Sequence, residues 1–104
     1  MPQVEIKYSD DLKLDTHFLF DFIEKTINTM DPTSGQCKSR AYPAPSYKYS
    51  HVFITVSMMK KPHRDPIFTE ELVKKLEMGM KKFIPKQAHF SLSLNYHLEN
   101  YVTS

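Results

Sequence analysis

An α+β fold of the order β-α-β-β-α-β is predicted, and three features of the sequence predict it. Two stretches have apolar residues recurring every three or four positions, the period of an amphipathic helix. Each is flanked by shorter stretches with the two-residue alternation of a strand. The second half of the chain then repeats the order of the first, so two βαβ units are expected to build one four-stranded sheet with both helices on one face. The 104 residues suit a single domain over residues 1–104, too few for two independent cores.

The elements follow in order. Residues 3–8 alternate, with Val4, Ile6 and Tyr8 on one face of a half-buried strand. Ser9, Asp10 and Asp11 break the pattern. A helix begins near Thr16, with Asp15 or Thr16 as N-cap and Leu19, Phe22, Ile23, Ile27 and Met30 as its apolar stripe. Pro32 and Gly35 stop it, because proline cannot continue the ladder and glycine favours a turn. A second short strand is expected over residues 36–42, followed by a loop punctuated by Pro43 and Pro45. Residues 49–59, rich in β-branched and aromatic side chains, read as the third strand. The loop that follows ends in Asp65-Pro66, a pair suited to a helix N-terminus. Leu72, Val73, Leu76, Met80, Phe83 and Ile84 form the second apolar stripe, with Lys81 and Lys82 complementing the dipole before Pro85 ends the run. Phe90, Leu92, Leu94 and Tyr96 then alternate with Ser91, Ser93, Asn95 and His97 in a last strand.

Composition narrows the function classes. Hydrophobic residues make up 40% and charged residues 25%, ordinary for a globular protein that resides in water. The longest apolar runs, such as Val52-Phe53-Ile54, are far too short to cross a bilayer, and no signal-like segment opens the chain. A single cysteine, Cys37, permits no intrachain disulfide and fits a reducing cytoplasm. A net charge of +2 is too weak to argue for nucleic acid, and no strand carries the closely spaced aromatics of an RNA-recognition motif. The five histidines show neither HxH nor HxxxH spacing, so no metal ion or other cofactor is expected. There is no P-loop, GxGxxG or Ser-His-Asp arrangement to support nucleotide binding or hydrolysis. Cys37 reads as buried and inert, and Tyr42, Tyr47 and Tyr49 as pocket walls or, more commonly, interface residues.

The second residue carries the chemistry. Pro2 stands before the first strand, and a small residue after an initiator methionine favours removal of Met1. Removal exposes a prolyl secondary amine anchored by a sheet, where most termini are loose. An α-amino group has a pKa near ~8, and both desolvation and neighbouring cations lower it. A neutral amine near pH 7 is a usable general base. Lys38 and Arg40 lie two residues apart on a strand, so both project to one face. Arg40 offers a planar fork to a carboxylate, whereas Lys38 offers a point charge. The alternative for both is a pair of solvated strand charges, and Arg64 can equally be a loop charge paired with Asp65.

Pro2 to Asp10, the segment Gly35-Gln36-Cys37-Lys38-Ser39-Arg40, the strand 51–56 and Arg64 before the second helix resemble the 5-carboxymethyl-2-hydroxymuconate isomerase family of the tautomerase superfamily. The resemblance spans most of the chain in order, through short matches. It implies a sheet of paired βαβ units, an amino-terminal proline as base, and a homotrimer active in aromatic compound catabolism. It implies an isomerase or tautomerase that moves a proton between carbon and oxygen positions of an unsaturated keto or hydroxy acid. On that reading Pro2 and Arg40 are catalytic, Lys38 and Arg64 bind substrate, and the partner is a small carboxylate-bearing enol or ketone. Departures accompany the matches. Lys38 stands where the family tends to have arginine, Lys7 where glutamate is common, and both the loop after Arg40 and the region after Ala88 are short. A non-catalytic oligomeric binding module on the same fold is the alternative.

Overall fold

In the computed structural model, which describes residues 1–97 and 100–104, the elements run β1 (Gln3–Ser9), α1 (Thr16–Met30), β2 (Lys38–Ala44), β3 (His51–Met59), α2 (Pro66–Lys81) and β4 (His89–His97). The four strands form one sheet in the order β2-β1-β3-β4. β1 pairs in parallel with β2, β3 in parallel with β4, and β1 with β3 antiparallel, so each βαβ unit is intact and the two meet at the sheet centre. The expected order and layer arrangement are both present.

Strand alternation sorts the side chains. Val4 and Ile6 of β1 and Val52, Ile54, Val56 and Met58 of β3 are fully buried. They join Leu19, Ile23 and Ile27 of α1 and Leu72, Leu76 and Met80 of α2 in one core, spaced by three and four along each helix. On the other face, Glu5, Arg40, Thr55 and Ser93 lie side by side across the four strands. Among the described residues no helix covers that face.

Local chemistry sets the helix starts. The Asp15 carboxylate accepts from Phe18 N–H at 3.0 Å, and Asp65 accepts from Phe68 N–H at 2.8 Å with Pro66 in the first turn. Several boundaries differ from expectation, β1 and β4 by one residue each. β2 starts at Lys38 and runs through Pro43, which an edge strand tolerates because no neighbour needs its missing N–H. β3 starts at His51, two residues later than the β-rich composition indicated. α2 starts at Pro66, just after its Asp65 cap, and ends at Lys81, so Ile84 joins the core from the turn that follows.

Candidate active site

Pro2 lies immediately ahead of β1, one of the two central strands, and is buried. Its carbonyl accepts from Lys38 N–H at 2.9 Å, which extends the β1–β2 ladder to the residue before the strand. Gln3 then pairs with Lys38 and Glu5 with Arg40. Lys38 and Arg40 therefore share the open face, two residues apart. By the same alternation Pro2 stands in phase with Val4 and Ile6, toward the helices. The cations flank the strand that Pro2 starts, on the opposite side from its ring.

Gln3 connects the two sides. Arg40 Nη2 donates to Gln3 Oε1 at 3.1 Å, and Gln3 Nε2 donates to the Tyr101 hydroxyl at 3.4 Å. That hydroxyl donates to the Met1 carbonyl at 3.2 Å. The Tyr101 ring lies flat on His97, with centroids 3.9 Å apart and planes 7° from parallel. His97 Nε2 is a buried polar atom with no hydrogen-bond partner among the described residues. Gln3, His97 and Tyr101 were not singled out from the sequence. Tyr101 lies 98 positions from Gln3 and carries no periodic signal, so sequence reading had no means of bringing it to Pro2.

Arg64 is placed elsewhere. Only 2% exposed, it directs Nε and Nη2 to Asp31 Oδ2 at 2.8 and 2.7 Å and Nη1 to the Met59 carbonyl at 2.5 Å. Asp31, also 2% exposed, accepts from Thr33 N–H at 3.0 Å and has His63 Nε2 at 2.9 Å. Burial acts to raise the Asp31 pKa. Hydrogen bonds from Thr33, His63 and Arg64 outweigh it and hold the carboxyl well below the usual range. The cluster ties the end of α1 to the β3–α2 loop and occupies the guanidinium that was expected to meet substrate. Its neighbour Asp65, the alternative partner expected for that arginine, is used as the α2 cap.

Cys37, just before Lys38, donates its N–H to Glu24 Oε2 at 2.7 Å. Burial, reinforced by the Glu24 charge, pushes its thiol up to about 12, so it is no nucleophile at neutral pH. A cavity of about 800 Å³ opens at the far end of β1, between Lys7, Tyr47, Tyr49, His51, Phe53 and His89. Gln3 to Ile6 of β1 lie between Pro2 and Lys7, the first residue of that strand to line the cavity, so the two are distinct places on one subunit.

No protein-family model matches the chain, and no curated protein matches it. Solved structures do. A 5-carboxymethyl-2-hydroxymuconate delta-isomerase superposes with a TM-score of 0.72 at 19% identity, covering 100% of this chain and 86% of that one. A 5-carboxymethyl-2-hydroxymuconate isomerase from Deinococcus radiodurans R1 gives 0.78 at 15% identity, covering 93% and 83%. A fused 4-OT described as a wild-type symmetric trimer gives 0.67 at 7% identity, covering 91% and 86%. The fold of this chain is the fold of these isomerases and tautomerases.

Proposed function

We propose that the chain, once Met1 is removed, is a tautomerase that moves a proton between carbon and oxygen positions of an unsaturated keto or hydroxy acid. Its base is the Pro2 amine. The observation that carries the reading is the burial of Pro2 at the head of a central strand, with Arg40 and Lys38 on the strand beside it. The names of the structural neighbours support the same class of reaction.

In the proposed cycle, the neutral amine accepts the enol hydroxyl proton. Electrons then shift from oxygen through the conjugated system, and the prolyl ammonium returns the proton to carbon. The amine ends as it began, and no redox partner or cofactor is required. Arg40 grips a substrate carboxylate or the oxygen where enolate charge gathers, and Lys38 adds a second positive charge. Arg64 has no part in this cycle, because Asp31 and Met59 occupy its guanidinium.

The proposal includes a homotrimer located in the cytoplasm. The sheet face opposite the helices and the edge strands β2 and β4 favour assembly of copies. Among the described residues no helix is long and apolar enough to cross a membrane.

The test uses phenylenolpyruvate as a simple enol and compares the chain starting at Pro2 with one retaining Met1. The processed chain is expected to turn it over at a rate that rises with pH as the amine loses its proton. The Met1-retaining chain should be inactive, since an amide nitrogen has no basic lone pair. Arg40→Ala should lower kcat/KM by about 10²–10³. Equal turnover with Met1 retained removes Pro2 as base and leaves the non-catalytic binding module in its place.

A further inference from the structure

The segment after β4 returns to the start of β1, and Tyr101 makes the contact. Its hydroxyl donates to the Met1 carbonyl, which belongs to the same peptide group as the Pro2 nitrogen. The oxygen and nitrogen of a peptide group are about 2.2 Å apart by covalent geometry, so the hydroxyl at 3.2 Å from one is within about 5.5 Å of the other. The donors also point in one direction. Arg40 donates to Gln3, Gln3 donates to Tyr101, and Tyr101 donates to the peptide group that holds the Pro2 nitrogen.

We infer that Tyr101 is the hydrogen-bond donor to the free Pro2 amine and holds that amine in its neutral form. The inference rests on the reading of Pro2 as the base. Loss of Met1 removes the acceptor that Tyr101 uses, and the lone pair of the freed nitrogen, in the same former peptide group, is a replacement within reach. The chain of donors decides which way that bond runs. A hydroxyl that receives a hydrogen bond from Gln3, itself polarised by the Arg40 cation, is a better donor and a poorer acceptor. It therefore favours the neutral amine over the ammonium, and a hydrogen bond to the neutral form lowers the pKa. The stacked His97 ring fixes the Tyr101 ring so that its hydroxyl has one place to point.

The other titratable groups at this end of the sheet act through charge. Lys38 and Arg40 on β2, and Lys60 beyond β3, disfavour the ammonium. Glu5 on β1 and Glu24 on α1 favour it, whereas Cys37 before β2 is held as the neutral thiol. His97 on β4 faces Tyr101 with its ring and opposes the ammonium whenever it is protonated. Within this set Tyr101 is the group whose hydroxyl already reaches the Pro2 peptide unit.

The test needs no turnover. The chain starting at Pro2 is labelled at proline with ¹⁵N and ¹³C, and the terminal proline resonances are followed by NMR from about pH 5 to about pH 10, a span centred near the ordinary amine value. Tyr101→Phe is expected to raise the Pro2 pKa by about one unit, the equivalent of one net hydrogen bond. Gln3→Ala should raise it by less, because it removes only the polarising link to Arg40. Tyr49→Phe, in the distant cavity, should leave it unmoved. If Tyr101→Phe fails to fold, the chain ending at residue 100 carries the same expectation. An unchanged or lower pKa in the Tyr101 variant overturns the inference. Enol turnover measured in parallel separates the two claims. A shifted pKa without proline-dependent turnover sinks the tautomerase reading alone, and proline-dependent turnover with an unmoved pKa sinks the role of Tyr101 alone.

Discussion

Replacing Arg64 with methionine should be the most damaging single change outside the apolar core. The guanidinium is 2% exposed and makes two contacts to Asp31 Oδ2 plus one to the Met59 carbonyl. Methionine fills much of the same volume but leaves the Asp31 carboxylate, also 2% exposed, with only Thr33 and His63 to stabilise its charge. Removing one partner of a buried ion pair costs about 3–5 kcal/mol. Because some compensation survives, the lower end applies, about 3 kcal/mol, which for a domain of this size lowers Tm by at least about 12 °C. Urea unfolding at one fixed protomer concentration measures the loss without confusing it with dissociation. The double variant Asp31→Asn, Arg64→Met should recover most of it, since no uncompensated charge then remains. Acid supplies a second axis. The Asp31 pKa in the folded protein lies below its ordinary value of 3.8, so its contribution is complete above that value and is lost as pH falls through the folded pKa. The gap between wild type and Arg64→Met should therefore narrow below about pH 4. A loss under about 1 kcal/mol, or a gap that widens in acid, refutes the buried-pair argument.

Two further outcomes are expected. A methyl group on Gly79 would lie 2.0 Å from Phe22 Cζ, so Gly79→Ala should destabilise by about 1–2 kcal/mol despite alanine's better helix propensity. Combining it with Phe22→Ala should abolish that penalty, and additive costs in a double-mutant cycle would contradict the packing account. Cys37, with its thiol pushed up to about 12, should have about one part in 10⁴ as thiolate at pH 8 and label slowly with maleimide until urea unfolds the chain; rapid labelling of the folded protein would show the thiol to be accessible.

Elements whose apolar periods are long and regular are legible in the sequence. Leu19, Ile23 and Ile27 declared α1, and the alternation from Val52 to Met58 declared β3. β2 was harder, because Pro43 reads as a breaker until the strand is known to lie at an edge, a fact of sheet order rather than local sequence. The candidate site divides in the same way. Same-face projection of Lys38 and Arg40 follows from strand geometry and could be read two residues at a time. The capture of Arg64 by Asp31 spans 33 positions and that of Met1 by Tyr101 spans 100, and neither leaves a periodic trace. The place of Arg64 before α2 suggests a substrate contact, whereas in the fold its guanidinium is bonded to Asp31.

The internal doubling of the domain has one further consequence. Gln3 opens β1 beside Lys38 just as His51 opens β3 beside His89, and Tyr101 follows β4 much as Tyr47 follows β2. The aromatic cavity at the start of β3 thus lies, in the second half, at the strand position that corresponds to the end of β1 where Pro2 stands. Geometry can be duplicated along a polypeptide, but a basic backbone nitrogen cannot, because once Met1 is removed as proposed every residue after Pro2 is still acylated. Ser50, which takes the place of Pro2 in the second half, is an amide that no processing can turn into an amine. Its hydroxyl is bonded to Asp11 instead. On the proposed reading of Pro2, one half of the repeat holds the reactive nitrogen, which leaves the other free to diverge in sequence while both keep the same strand spacing.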